Sequence, residues 1–233
     1  MIDHAPLRLS AVLLLVGQLL YIVITQFHTG GEANNHPLTF GRYAGSGDWT
    51  GVHVGQFAAM AVIIAGLVVL YFVLDVRTGA AAWLARLGAA SAVVALYAAL
   101  QAVDGVGNKQ ADAAWVNAPS AQKAARFASA EAMRWLEWGM RSYHDYALGL
   151  ALLLFAAAAA AVRSVRIPGM VAYLMGLSGI TYLVQGWVVG SQGFSGRDTY
   201  MILLAWALSL ISMIWLVIVA RPAQTSEAPS VAG

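Results

Sequence analysis

The sequence contains no cysteine and few charged residues. Among its 233 residues, 10% are Asp, Glu, Lys or Arg, and none is Cys. The absence of cysteine excludes disulfides, thiolate metal sites, cysteine nucleophiles and the C-x-x-C-H attachment of a haem. The basic residues are dispersed and the net charge is only +2, so the composition gives no support for nucleic-acid binding.

What the sequence has in abundance is long apolar runs. Hydrophobic residues make up 60% of the chain and the mean hydropathy is +0.70. Six segments are long enough to cross about 30 Å of hydrocarbon as helices. They lie at about 9–27, 52–74, 82–103, 138–162, 167–189 and 200–220. The sequence therefore predicts an all-α membrane protein, with the lipid bilayer as its main partner. No Lys falls within a span, which excludes a retinal Schiff base.

The domain organisation follows from these spans. Residues 1–221 form a single membrane domain of six spans, and the Ala-, Pro- and Ser-rich tail at 222–233 is predicted to be disordered. The first apolar run is interpreted as a span, because no small-x-small signal-peptide cleavage site follows it. Two long connections, at 28–51 and 104–130, are expected to build a polar cap at one end of the bundle.

An even number of spans puts both termini on one side of the membrane. The short loops on that side carry arginines such as Arg77, Arg163 and Arg166, and basic short loops predict the cytoplasm. Both termini are therefore predicted to be cytoplasmic, in the plasma (inner) membrane, with the cap outside.

Counting along the helices places four ionisable residues at a common depth. At about 1.5 Å per residue, His28 lies about 30 Å from Arg8, and His53 about 33 Å from Asp75. Asp104 lies about 27 Å from Arg86, and His144 about 28 Å from Arg163. The sequence thus predicts that His28, His53, Asp104 and His144 meet near the outer boundary of the hydrocarbon.

These four residues are candidate metal ligands. Without thiols, imidazoles and carboxylates are the usual ligands of zinc, iron or copper, so a divalent ion such as Zn or Fe is the predicted cofactor. A haem between His53 and His144 ranks below it, since neither residue lies in mid-membrane. The alternative is that the histidines are interfacial and solvated, and that Asp104 only marks the end of a helix.

The most charge-dense stretch, Glu131–His144, allows three interpretations. Its spacing puts Arg134, Glu137 and Arg141 on one helical face, where i,i+3 and i,i+4 ion pairs form, and a solvated, self-compensating face is the simplest interpretation. Alternatively Arg134 and Arg141 bind an anionic ligand. The third interpretation makes Glu137 and His144 an acid–base pair, with Asp104 as a further catalytic carboxylate.

A weak internal repeat relates the ends of the first and third spans. L-Y-I-V-I-T-Q-F-H-T-G-G at 20–31 resembles L-Y-A-A-L-Q-A-V-D-G-V-G at 96–107, and this alignment places His28 opposite Asp104. A repeat of this kind implies three helical hairpins around a common axis.

Several motifs at the first connection resemble a group of uncharacterised bacterial multi-pass membrane proteins. They are N-N-H-P at 34–37, F-G-R-Y-A at 40–44 and W-T-G-V-H at 49–53. The resemblance covers most of the chain and implies a bacterial inner membrane, but it brings no activity.

The leading hypothesis from the sequence is an outward-facing His/carboxylate site, metal-assisted or acid–base, that acts on a small or lipid-soluble molecule. The alternative is a non-enzymatic binding, sensing or assembly protein, and a homo-oligomer is compatible with either. A small-solute transporter comes third, because no charged residue is predicted at mid-membrane, where transporters bind their substrates.

Overall fold

The computed structural model describes residues 4–30, 32, 34–74, 80–161, 167 and 169–221. Within them the chain is helical and contains no strand. The elements are α1 (His4–Thr25), α2 (His36–Gly45), α3 (Trp49–Val73), α4 (Ala80–Gln101), a π-helix (Ala102–Asn108), α5 (Lys109–Val116), a 3₁₀ turn (Ser120–Gln122), α6 (Lys123–Ala161), α7 (Gly169–Gln192) and α8 (Gly196–Val219). Arg77, Arg163 and Arg166 of the short loops lie outside the described residues, as does the predicted tail at 222–233.

Six helical segments are long and apolar enough to span a membrane, which confirms the predicted all-α membrane bundle. Two of them exceed the predicted spans. The third continues from α4 through the π-helix and α5 to Val116, and the fourth begins at Lys123 instead of 138. Both segments continue through polar residues, because polar residues do not end a helix that extends beyond the hydrocarbon. The two segments are separated by Pro119, which cannot donate a backbone hydrogen bond within a helix.

The six spans close into a ring. Each packs against the next in chain order, α1 on α3, α3 on α4, α4 on α6, α6 on α7 and α7 on α8, and α8 returns to α1. Three pairs of spans that are consecutive in the chain, α1 with α3, α4 with α6 and α7 with α8, therefore make up the ring. The core between them consists of apolar side chains such as Leu14, Leu67, Val93 and Phe155.

Helices α6 and α7 approach each other closely at a pair of glycines. A Cβ added at Gly149 would lie 2.6 Å from the carbonyl oxygen of Gly179, and one added at Gly179 would lie 2.8 Å from that of Gly149. Only glycine permits such backbone contact.

A cap covers one end of the ring, built from the two long connections as predicted. The side chain of Asn35 accepts a hydrogen bond from the Leu38 amide and Pro37 occupies the first turn of α2, so both favour the start of the helix there. At its other end, the Lys109 ammonium donates to the carbonyls of Tyr43, Ala44 and Ser46 at 2.9, 2.9 and 2.6 Å. The Lys109 ammonium therefore satisfies the free carbonyls at the C-terminus of α2 and holds α2 against α5, which begins at Lys109.

Candidate metal centre

Three of the four residues predicted at a common depth converge under the cap. The Nε2 atoms of His53 and His28 lie 3.1 and 3.8 Å from Oδ2 of Asp104. One ligand atom from each of the three residues lies within 4.8 Å of the others. The three residues come from different parts of the chain: the turn that follows α1, the first turns of α3 and the π-helix.

His53 is held in a form that suits a metal ligand. Its Nδ1 lies 2.7 Å from the Trp49 carbonyl oxygen, and because a carbonyl only accepts, Nδ1 carries the proton. The Nε2 atom of a neutral ring then presents a lone pair. That atom is buried and lies 3.1 Å from a carboxylate oxygen of Asp104. Two lone-pair donors this close need a cation between them, either a proton or a metal ion.

Asp104 owes its position to the π-helix. Its Oδ1 atom accepts a hydrogen bond from the Asn108 amide at 3.2 Å, which leaves Oδ2 for the histidines. The indole N–H of Trp49 donates to the backbone carbonyls of Asp104 and Gly105 at 3.2 and 3.0 Å. π-Helical segments inside α-helices occur frequently at functional sites. The sequence had not predicted this one.

The donor set matches known metal chemistry. Two imidazole nitrogens and one carboxylate oxygen hold catalytic zinc and also non-haem iron(II), in both cases with coordination positions left open. Ligand atoms about 2.0 Å from a tetrahedral zinc stand about 3.3 Å apart. The distances of 3.1 and 3.8 Å from Asp104 to the two histidines bracket that value. A divalent ion therefore fits between these side chains.

Aromatic rings enclose the group on one side. The ring centroid of Trp49 lies 4.4 Å from that of His53, 5.1 Å from that of His28 and 4.2 Å from that of Tyr43. Burial raises the pKa of the Tyr43 phenol well above its ordinary value, while the neighbouring Arg134 guanidinium opposes that rise. The phenol is therefore neutral at physiological pH.

A buried polar chain connects the metal group to α6. Asn108 donates to Glu137 at 2.6 Å, and Arg134 donates to the same Glu137 oxygen at 2.6 Å and to the Tyr43 hydroxyl at 3.1 Å. Arg134 is 2% exposed and Glu137 is 3% exposed, so the predicted solvated face is wrong at these positions. The reason is the cap, because α2 brings Tyr43 over Arg134 and the turn before α8 adds Phe194.

The other predicted site residues form a separate cluster. Arg141 donates to Asp145 at 3.1 Å and to the Tyr21 hydroxyl at 3.2 Å. His144 lies 3.2 Å from Asp145 through Nδ1, and its ring faces that of Tyr97 at 4.7 Å. The structure therefore leaves His144 out of the metal group, and it places His144 neither with His53 as a haem pair nor with Glu137 as an acid–base pair.

A cavity of about 240 Å³ lies inside the ring next to the metal group. It has both polar and apolar walls. The polar and aromatic lining comprises Tyr21, Thr25, His28, Thr39, Tyr43, Gln56, Tyr97, Gln101, Asp104, Arg134, Glu137, Arg141, Phe194 and Trp206. Both arginines that were predicted to bind an anion reach this space, and so do two members of the metal group.

The approach of the π-helix to His53 provides a test of the geometry. A Cβ at Gly105 would lie 2.9 Å from Cβ of His53 and 3.0 Å from its Cγ, so Gly105→Ala is expected to displace the imidazole. We expect metal affinity to fall about tenfold or more, as for the loss of a supporting group. The measurement is a competitive zinc titration of the purified protein.

Gly107→Ala is the matched control in the same π-helix. Its added methyl would meet the flexible end of Met133, which can move aside. Equal effects of the two substitutions on zinc affinity would contradict the proposed position of His53.

Comparisons of the chain with protein-family models, curated proteins and solved structures find no match. The fold and the site define a multi-pass helical membrane protein with a buried His/His/Asp group that is able to hold a metal ion. Its function has to be inferred from these residues.

Proposed function

We propose that this protein binds a divalent metal ion through His28, His53 and Asp104, and that the ion acts on a small oxygen-containing ligand in the adjacent cavity. The observation that carries the proposal is the buried Nε2 of His53. This atom faces a carboxylate oxygen of Asp104 at 3.1 Å, and the Nδ1 atom of the same ring is fixed by the Trp49 carbonyl, so a proton or a metal ion has to lie between Nε2 and the carboxylate.

Two guanidinium groups reach the cavity, those of Arg134 and Arg141. Each is paired with a buried carboxylate, Glu137 or Asp145, and the buried carboxylates of Asp112 and Asp198 lie in the same electrostatic neighbourhood. An N–H group of an arginine beside the ion would orient an oxygen atom of the ligand.

The protein partners of these side chains limit the chemistry. The cavity residues that were predicted as acid, base or anion contacts already have hydrogen-bond partners among the described residues. Glu137 accepts hydrogen bonds from Arg134 and Asn108, and Arg141 donates to Asp145 and Tyr21. Bound metal would supply Lewis-acid activation of the ligand oxygen. The same pairing favours non-enzymatic ligand binding as the second candidate, because no free base lines the cavity among the described residues.

We further propose that the cap faces outward from a bacterial inner membrane. The excess of arginine in the short loops at the other end and the motifs at 34–37, 40–44 and 49–53 support this orientation and location.

Metal analysis of protein purified in detergent without chelators tests the proposal. We expect about one Zn or Fe per chain, removable by a chelator and restored by the ion, as the three-ligand set implies. X-ray absorption at the edge of the bound metal is expected to report two imidazole ligands. Protein that contains no metal and binds neither Zn²⁺ nor Fe²⁺ when these are added would rule the proposal out.

A further inference from the structure

A fully buried carboxyl group lies in the cap, about two helical turns beyond Asp104. It belongs to Asp112 on α5, which is 0% exposed. Neither oxygen of this side chain has a hydrogen-bond partner among the described residues. An ionised carboxylate that is buried without a partner is strongly unfavourable. Asp112 therefore needs a cation beside it, either that of another side chain or a proton.

The cationic side chains around Asp112 are engaged elsewhere. Its charged neighbours are Lys109, Arg134, Glu137 and Asp104. The Lys109 ammonium donates to three carbonyls at the C-terminus of α2, which uses all three of its N–H groups. Arg134 forms its ion pair with Glu137, and within the described part of the chain neither cation forms an ion pair with Asp112. The two neighbouring carboxylates would repel a negative charge, so a proton is the cation that remains.

A second buried oxygen without a donor lies one turn back along the same helix. Asn108 is 1% exposed, and its side-chain amide donates to Asp104 at 3.2 Å and to Glu137 at 2.6 Å. Because carboxylates accept these bonds, the amide N–H groups face them and Oδ1 is directed elsewhere. The Oδ1 atom is buried and receives no hydrogen bond from any described residue.

The helix brings these two unpaired groups together. Residues four apart on an α-helix are neighbours on its surface, and the later side chain leans toward the earlier one. A proton on Asp112 would let its O–H group donate to Oδ1 of Asn108. This one hydrogen bond removes both the unpaired amide oxygen and the buried charge. The other oxygen of Asp112 becomes a neutral carbonyl, which is much less unfavourable to bury than a carboxylate.

We propose that Asp112 is a protonated carboxylic acid that donates a hydrogen bond to Asn108 and thereby positions the Asp104 carboxylate for the metal ion. This inference rests on the metal site proposed above and adds a positioning residue to it. The bond keeps the N–H groups of Asn108 toward Asp104 and Glu137, so Oδ2 of Asp104 remains directed toward His53. An ionised Asp112 would instead attract those N–H groups, and Asp104 would lose its support.

Infrared spectroscopy of the metal-loaded protein in lipid nanodiscs tests the proton on Asp112. The carbonyl stretch of a protonated carboxylic acid is separate from the bands of carboxylates. We expect this stretch in the wild type at neutral pH and its loss in Asp112→Asn. Any other protonated carboxyl group cancels in the difference between the two spectra. A difference spectrum without a carboxylic acid band would overturn the inference.

A competitive zinc titration of two variants tests the positioning role. Asp112→Asn keeps a hydrogen-bond donor at this place, whereas Asp112→Leu is of similar size and has none. We expect the Asn variant to bind zinc as the wild type does. The Leu variant should bind zinc about tenfold or more weakly, as for the loss of a supporting group. Equal zinc affinities of the two variants would contradict the positioning role.

Gln110→Leu is the matched control, since Gln110 is exposed on the same helix and the substitution introduces the same side chain. It is expected to leave zinc affinity unchanged. If Asp112→Leu does not fold, Asp112→Ala takes its place, because alanine also lacks a donor and is smaller.

The outcomes separate the two proposals. Metal-loaded protein without the Asp112 band would overturn this inference and leave the metal site standing. Protein that binds no metal would overturn the metal site and the positioning role together, and the infrared difference would still decide whether Asp112 carries a proton.

Discussion

His53→Ala is expected to abolish stoichiometric metal binding. The substitution removes one of three ligands, and the water that replaces it has no fixed orientation because the Trp49 carbonyl no longer holds a ring in place. Loss of a supporting outer-shell group typically lowers metal affinity about 10- to 100-fold, so loss of a ligand should exceed that range. The measurement is the metal content of protein purified without chelators, followed by a competitive zinc titration.

Two other histidines serve as matched controls for this substitution. His36 lies in the cap, where its Nδ1 is 2.9 Å from Glu131, and His144 is held by Asp145. Neither belongs to the metal group. His36→Ala and His144→Ala are therefore expected to retain metal in folded protein. If His144→Ala lost metal while His53→Ala retained it, the assignment of ligands would be reversed and the proposed centre abandoned.

Glu137→Ala is expected to destabilise the protein by about 3–5 kcal/mol, because it leaves a buried charge without its partner. Among the described residues, Arg134 would retain the Tyr43 hydroxyl and the aromatic faces of Tyr43 and Phe194 around its guanidinium. The Asn108 amide would also lose its 2.6 Å acceptor. The measurement is the free energy of unfolding in mixed detergent micelles, followed by far-UV circular dichroism.

A double substitution separates the ion pair from its surroundings. Arg134→Met combined with Glu137→Leu removes both charges together and is expected to be less destabilising than Glu137→Ala alone. Glu131→Ala, on the same helix, changes a carboxylate whose side chain is 30% exposed, so we expect a loss of less than about 1 kcal/mol. Equal losses for Glu137→Ala and Glu131→Ala would show that Glu137 is solvated, as the sequence alone suggested.

The membrane fold was predictable because its signal is local. A run of hydrophobic residues indicates a span without reference to the rest of the chain, and each of the six predicted spans corresponds to an apolar helical segment of the structure. Helix ends were less predictable, since α6 begins at Lys123, well before its apolar part. Charged residues indicate that part of a helix lies outside the hydrocarbon. They do not indicate whether that part is exposed to water or buried against another element of the protein.

The convergence of His28, His53 and Asp104 was predictable from depth alone, because residues at one depth on adjacent helices tend to meet. Depth did not exclude His144, which lies on α6 but is directed toward Tyr97 and Asp145. The burial of Arg134 was not predictable, since it depends on Tyr43, which is 91 residues away in sequence. The π-helix was not predicted, because its sequence, which includes Gly105 and Gly107, is also compatible with a helix end.

The π-helix at Ala102–Asn108 also makes the site sensitive to chain length. A π-helical turn accommodates one residue more than the α-helical turn that it replaces. Deletion of Ala102 or Val103 would let the segment relax to an ordinary α-helix, and the angle between Asp104 and Asn108 about the helix axis would change by several tens of degrees, because each residue of an α-helix turns by about 100° and each residue of a π-helix by less. In an evolutionary comparison, a one-residue gap just before Asp104 would therefore mark a protein that keeps both histidines and the membrane fold but has its carboxylate turned relative to them.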